Sequence, residues 1–314
     1  MILVTGATGF VGQALCADLT ARGISFRPVS RSPRQAFHTI GLIDAGTDWS
    51  EALADVDTIV HLAARVHVMD ETATDPLAAF RAANVAATLN LARQAAMSGV
   101  RRFIFVSSIK VNGEATAPGR PFTSADQPLP VDPYGISKWE AEQALLALGL
   151  ETGMDIVVIR PPLVYGPGVK ANFASLMRLA QRGIPLPFGR VANKRSLVFV
   201  GNLTDFIILC VRHSDAANRT FLVSDDNDLS IGQLVGAISN AMHRKARLLP
   251  VPPRLMEMAA TVLGKGPAAQ RLLGSLQLDI AEAQRTIGWT PPFSVDQGLA
   301  QTVKAFLAQG SIGR

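Results

Sequence analysis

The sequence predicts an α/β fold, a doubly wound parallel sheet joined to a smaller, mostly helical lobe, and three observations predict it. Short β-branched runs alternate with longer helical patterns through the first half, as in successive βαβ units. A glycine-rich turn follows the first of these runs directly and opens a helical pattern. Beyond Pro161, Pro and Gly spread through 161–168 and 183–189, and helical patterns then dominate. In chain order, strands are expected at Ile2–Thr5, Phe26–Ser30, 58–62, 102–107 and Asp155–Arg160. Apolar residues at helical spacing over 11–22 and 76–98 supply covers for both faces of the sheet. The runs 197–200 and 220–223 read as strands returning to the main sheet. The expected division is a sheet domain of residues 1–165 plus about 195–230, and a smaller lobe of about 166–194 and 231–314.

Composition narrows the class. A chain of 314 residues accommodates one large α/β domain or a large domain with a small one. Its densest apolar runs, such as 206–211, fall far short of the roughly 20 residues that cross a bilayer. The start of the chain lacks the basic region and cleavage site of a secretory signal, so a cytoplasmic protein without membrane insertion is expected. Cys16 and Cys210 lie in apolar helical patterns, and the five histidines form no ligand constellation, so no metal is expected and His61 reads as structural. The formal charge is +5, with no Lys/Arg block interleaved with aromatics, so a phosphate-bearing small molecule is the expected partner rather than nucleic acid. The stretch 243–276 mixes Arg244, Lys245, Arg247, Arg254 and Arg271 with Leu, Met and Ala in an amphipathic pattern; its apolar face is expected to pack onto the smaller lobe, with a membrane-associated surface as the alternative.

The turn Gly6-Ala7-Thr8-Gly9-Phe10-Val11-Gly12 has GxxGxxG spacing between a strand and a helix. Glycines there permit a tight turn and close backbone approach, so that amide groups at the helix start can face a pyrophosphate, as in Rossmann dinucleotide sites. Gly6, Thr8, Gly9, Phe10, Val11 and Gly12 are accordingly candidate cofactor ligands. The second strand ends at Ser30-Arg31-Ser32, where such folds often carry an acidic residue for the adenosine ribose. Arg31 suits a 2′-phosphate, which favours NADP over NAD.

Tyr134 and Lys138 stand four apart at the start of the helical pattern 134–148, which puts both on one helix face. An ammonium beside a phenol stabilises the phenolate and fits the pair for proton exchange with an alcohol or carbonyl. Ser108 closes the strand 26 residues before Tyr134, at the carboxyl edge where open α/β sheets bind ligands, and can donate to the same oxygen.

Glycine loop, Ser108 and YxxxK together resemble the extended short-chain dehydrogenases, and the chain is similar to UDP-glucose 4-epimerases and related sugar-nucleotide reductases. The likeness continues through His61-Leu62-Ala63-Ala64, Asn84-Val85, the stretch from Arg160 to Gly168, and Gly288-Trp289-Thr290-Pro291. Arg65-Val66-His67-Val68-Met69 and the stretch from Arg271 to Leu276 resemble the bacterial group that includes UDP-4-keto-6-deoxy-N-acetylglucosamine reductases. The resemblance implies that Tyr134 is the acid/base, that Lys138 holds the nicotinamide ribose and lowers the tyrosine pKa, and that Ser108 orients the reacting oxygen. Leu62, Ala63, Ala64 and Pro161 would line the cofactor. Asn172 and Arg195 would contact phosphate, Phe188 the base, and Arg271 and Asp279 the nucleotide; the plain alternatives are a helix-cap Asn, a solvated Arg and a core Phe. Leu163 stands where many relatives have an asparagine.

Sugar-nucleotide 4,6-dehydratases resemble this pattern but carry an Asp-Glu pair after the hydroxyl residue, and Ile109 and Lys110 occupy those places here. The chemistry expected is therefore hydride and proton transfer at C4 of a UDP-linked deoxy- or N-acetylhexosamine, as a 4-ketoreductase. The alternatives are a 4-epimerase holding NAD tightly and a non-catalytic NADP-binding sensor. The helices over 76–98 and 134–148 would serve a homodimer.

Overall fold

The computed structural model describes residues 1–66, 74–264 and 266–312; His67, Val68 and Met69 of the resemblance lie outside them. Seven strands form one parallel sheet in the order β3-β2-β1-β4-β5-β6-β9. They are β1 (Ile2–Thr5), β2 (Phe26–Ser30), β3 (His38–Thr39), β4 (Thr58–His61), β5 (Arg102–Val106), β6 (Asp155–Arg160) and β9 (Arg219–Leu222). The reversal of direction between β1 and β4 is the switch point at which doubly wound folds bind nucleotides.

The two-residue period of the strands sorts their side chains into two cores. Ile2, Val4, Val60, Ile104, Val157 and Ile159 point to one face, against Leu15 and Leu19 of α1 (Phe10–Ala21) and Leu203 and Phe206 of α6 (Val200–Arg212). Leu3, Ile59, Phe103, Phe105, Ile156 and Val158 point to the other, against Leu91 of α3 (Ala87–Met97) and Ala141 and Leu145 of α4 (Pro133–Thr152). Burial on both faces is why these strands read as continuous apolar runs, and each large side chain so removed from water contributes about 1.5–3 kcal/mol.

Two features differ from the sequence expectation. The helical pattern over 76–98 is not one α-helix: α2 (Pro76–Arg81) passes through a wide π-helical turn, Ala82–Ala86, before α3. Asn84 in that turn is buried, accepts from the Arg65 amide at 2.8 Å, and donates to the Arg65 carbonyl and to Ser137 Oγ. The turn thus brings an amide side chain onto the chain leaving β4 and onto α4. The second difference concerns the later strands. β9 joins the main sheet, but β8 (Leu197–Phe199) pairs with β7 (Leu163–Tyr165) in a separate two-stranded sheet. Pro161 and Pro162 cannot donate to a ladder, so the chain leaves the main sheet there. Asp225 fixes β8 in its place by accepting from the Phe199 amide (2.8 Å), Asn202 (2.7 Å) and the Tyr165 hydroxyl (2.7 Å).

Around this small sheet, α5 (Ala171–Arg182), α7 (Ile231–Ala241) and α11 (Val295–Ile312) build a third core. Two further helices, α8 (Pro253–Val262) and α9 (Gly266–Leu273), pack against each other, and α10 (Ala281–Ile287) returns to β9. Among the described residues no helix is long and apolar enough to cross a membrane.

Candidate active site

The glycine turn is built by close approach. Gly6 has φ +65°, and a Cβ on it would lie 2.6 Å from the Ala63 nitrogen and 2.7 Å from the Leu62 carbonyl carbon, so the turn rests directly on the chain leaving β4. A Cβ on Gly12 would lie 2.2 Å from the Gly6 oxygen, and α1 can start under the loop only with glycine there. Gly9 caps α1 without any side-chain hydrogen bond. The amides of Phe10, Val11 and Gly12 therefore stand at the positive end of a 12-residue helix without intrahelical partners, which is the donor set a pyrophosphate needs. Arg31 is exposed at the end of β2, between Ser30, whose hydroxyl donates to the Ser32 carbonyl, and Arg34, whose guanidinium covers the Phe37 ring at 5.2 Å. No carboxylate stands in residues 30–34.

At the next strand ends the chemistry-bearing side chains converge. The Ser107 amide donates to the Ile159 carbonyl (2.7 Å) and the Ile109 amide to the Pro161 carbonyl (3.0 Å), so Ser108 is pinned between β5 and β6. Its hydroxyl accepts from the Lys110 amide (3.3 Å) and stands beside Tyr134 in the first turn of α4. Burial pushes the Tyr134 phenol up to about 12; the neighbouring Ser108 hydroxyl opposes that shift and the Asp132 charge adds to it. Lys138, one turn further along α4, is buried with its ammonium 4.1 Å from the centre of the Phe105 ring. Burial brings it down to about 7, against the pull of Glu142. Ser107 Oγ is buried without a hydrogen-bond partner beside this group.

Behind Lys138 lies a polar layer that sequence reasoning missed. Arg160 donates to Glu142 (2.5 Å to Oε2) and to Asn112 Oδ1 (2.9 Å), with both charged groups buried. Lys110 pairs with Asp132 and, at 3.5 Å, with Glu114, and Asp132 in turn caps α4 by accepting from the Gly135 amide at 2.6 Å. Lys110 thus does more than replace a dehydratase carboxylate: it ties the Ser108 segment to the helix that carries Tyr134. The available signal was the Glu142 spacing, four residues beyond Lys138 on the same helix face. His61 is structural as read: its ring nitrogens lie 2.8 Å from Thr5 Oγ1 and 3.0 Å from Thr88 Oγ1, and burial, with the Lys138 charge, brings it down to about 3.

The remaining sequence candidates are placed as follows. Arg195, half-buried, donates to the carbonyls of Arg271 (2.7 Å) and Gly274 (3.1 Å), which joins two of the candidates, and burial lowers its pKa. That strip adjoins Ser108: Thr116 and Phe122 donate to the carbonyls of Ser275 and Gln277, and Ile109 packs with Leu276 and Leu278. Asn172 is exposed in the first turn of α5, Asp279 accepts from the Ala281 amide, and Leu163 is exposed on β7. Phe188 is buried in the third core, and its carbonyl meets Gly232. Among the described residues no cluster of His, Cys, Asp or Glu is arranged to hold a metal. Two cavities of about 420 and 460 Å³ lie elsewhere, the first against α2, α3 and α4 and the second at the amino ends of β1 and β4.

The burial of Lys138 has a measurable consequence. Its folded pKa of about 7 lies below the ordinary 10.5, so the unfolded chain binds the extra proton between those values, and this residue's contribution to stability rises with pH across that window. The difference in unfolding free energy between wild type and Lys138→Met should change with pH from 7 to 10, by at most about 1.4 kcal/mol per unit. Urea titrations at pH 7, 8.5 and 10 measure it, and a pH-independent difference contradicts a neutralised lysine.

A parallel seven-stranded sheet with a glycine turn at its switch point and a Ser-Tyr-Lys set at adjoining strand ends defines an extended short-chain dehydrogenase. Residues 2–224 match the NAD dependent epimerase/dehydratase family, and the chain belongs to that family. It is 48% identical over 314 residues to a UDP-glucose 4-epimerase of Vibrio cholerae, covering 98% of this chain and 95% of that one. Among solved structures it is similar in fold to a UDP-glucose 4-epimerase of Thermotoga maritima with UDP-glucose (TM-score 0.77, 23% identity, 98% and 99% coverage). It is also similar in fold to a UDP-glucuronic acid 4-epimerase of Bacillus cereus in complex with NAD (TM-score 0.77, 20% identity, 98% of each chain).

Proposed function

We propose that the protein is a 4-epimerase of a UDP-linked hexose or hexosamine. The observation that carries this reading is the Tyr134 hydroxyl beside Ser108 and one helical turn from the buried Lys138, at the carboxyl edge of the sheet. The 48% identical relative named as a UDP-glucose 4-epimerase supports epimerisation ahead of the ketoreduction that the sequence suggests.

The glycine turn fits a dinucleotide, since the space a Cβ would fill at Gly6 and Gly12 is taken by backbone and uncapped amides stand at the helix start. Gly6, Thr8, Gly9, Phe10, Val11 and Gly12 would hold the diphosphate, Arg31 the adenosine ribose, and Leu62, Ala63, Ala64, Pro161 and Lys138 the nicotinamide half. The nicotinamide supplies reversible hydride storage. Tyr134 takes the proton from the C4 hydroxyl as the alcohol is oxidised and returns it when the ketone is reduced, while Ser108 holds the C4 oxygen in line. Lys138, when charged, stabilises the phenolate that takes the first proton and that is restored when the proton is returned. Residues 166–194 and 231–314 would form the nucleotide-sugar side of the site, with Arg195, Arg271 and Asn172 on the diphosphate; Phe188, buried in the third core, takes the structural role instead of flanking the base. The groove against α2, α3 and α4, lined by Arg81, Arg93 and Glu140, is the face through which two copies would meet.

A second reading, 4-ketoreduction with exchangeable NADPH, is favoured by Arg31, which stands with no carboxylate in residues 30–34. Purified protein incubated with UDP-glucose or UDP-N-acetylglucosamine and no added cofactor distinguishes them. The 4-epimer appearing without net cofactor change supports the epimerase; NADPH consumption only with a 4-keto sugar nucleotide supports the reductase. In either case Arg31→Ala should weaken NADPH binding by about tenfold or more and NADH binding far less, and equal loss for both would remove Arg31 from the 2′-phosphate site.

A further inference from the structure

The geometry points to the α8–α9 hairpin as a docking surface for an anionic phospholipid bilayer. The amphipathic stretch was expected to pack its apolar face onto the smaller lobe, and α8 does the reverse. No residue of α8 is buried; only Met256 leans on the third core, while Leu255 (56% exposed), Met258 (65%) and Val262 (87%) line one face of the helix in contact with solvent. Their spacing of three and four residues puts them within one stripe, and Leu263 (72%) extends it at the helix end. A contiguous apolar face of this kind on a soluble protein marks a contact surface.

Charge selects the partner. Residues 243–272 hold Arg244, Lys245, Arg247, Arg254, Lys265 and Arg271 against Glu257 alone, an excess equal to the +5 of the entire chain. The rest of the protein is electrically balanced, so its positive excess lies in the same segment of sequence that carries the exposed apolar stripe. Arg244, Lys245, Arg247 and Arg254 are exposed, and Arg254 adjoins Leu255 at the start of α8. Exposed Leu, Met and Val along a helix with Arg254 at its start and exposed Arg244, Lys245 and Arg247 in the segment leading into it is the composition that lies in the interface of an anionic bilayer without crossing it. A second protein copy would have to present an acidic apolar face, which this nearly balanced remainder lacks in excess.

The test is independent of the catalytic reading, because it measures binding of the full chain alone. Sedimentation with vesicles of phosphatidylcholine containing 30% phosphatidylglycerol is expected to carry the protein down, and pure phosphatidylcholine vesicles are not. Lys245→Glu/Arg247→Glu/Arg254→Glu should reduce the partition by at least about a hundredfold, since each basic residue near such a surface is worth about fivefold. Met258→Asp/Val262→Asp should also abolish it, with thermal unfolding unchanged. Absence of binding to the anionic vesicles, wild-type binding by both variants, or conversion of a dimer to a monomer by Met258→Asp/Val262→Asp without vesicles would each overturn the assignment.

Discussion

Tyr134→Phe should lower turnover by about 10²–10⁴-fold while the dissociation constant for the dinucleotide changes little. The substitution removes one oxygen and keeps the ring against Phe80, with which Tyr134 makes an edge contact at 6.0 Å, so the helix and the glycine turn stay in place. The ring's surroundings explain why no neighbour substitutes. Ser108 is an alcohol without a base of its own, the pKa of Lys138 is held down by burial, and His61 is neutral with both ring nitrogens occupied by threonines. Ser108→Ala should cost less, because it removes an orienting hydrogen bond and leaves the proton carrier. The measurement is single-turnover conversion of a UDP-sugar with bound cofactor, beside fluorescence titration of the dinucleotide. Turnover within threefold of wild type would remove Tyr134 from the acid/base role, whatever the fold.

Local pattern carried the sheet and the turn because both depend on neighbours in sequence. β1 and β6 fall on the expected residues since β-branched side chains buried on both faces leave an uninterrupted apolar signature, and β2 does so although only Val29 and Ser30 of it are buried. Tyr134 and Lys138 were legible through helical spacing, and Ser108 through its place at the end of a strand. What escaped depends on partners far along the chain. The assignment of β8 to a second sheet follows from Asp225, 26 residues beyond Phe199, taking its amide. The π-helical turn follows from Asn84 reaching Arg65 and Ser137, contacts invisible to any periodicity. The exposure of α8 is the inverse case, because its amphipathic pattern is real and only the packing shows that the apolar side faces outward.

The polar layer under the active site should be the other place where a single change has a large effect. Glu142 and Arg160 are both buried, and removing one charge strands the other, a loss of about 3–5 kcal/mol where such pairs have been broken. Glu142→Gln should therefore lower the melting temperature by roughly 5–15 °C. Joint replacement by Glu142→Leu/Arg160→Met should recover much of it, because two well-packed apolar chains incur no desolvation cost. The same carboxylate acts on Lys138, whose pKa it raises against burial. In Glu142→Gln the ammonium should lose its proton at lower pH than about 7, so the alkaline limb of kcat/KM, which reports the free enzyme, should move toward acid. A variant that melts early with an unmoved limb would make Glu142 a structural residue only. A limb that moves at any stability places it one step behind the chemistry, holding Lys138 charged for Tyr134.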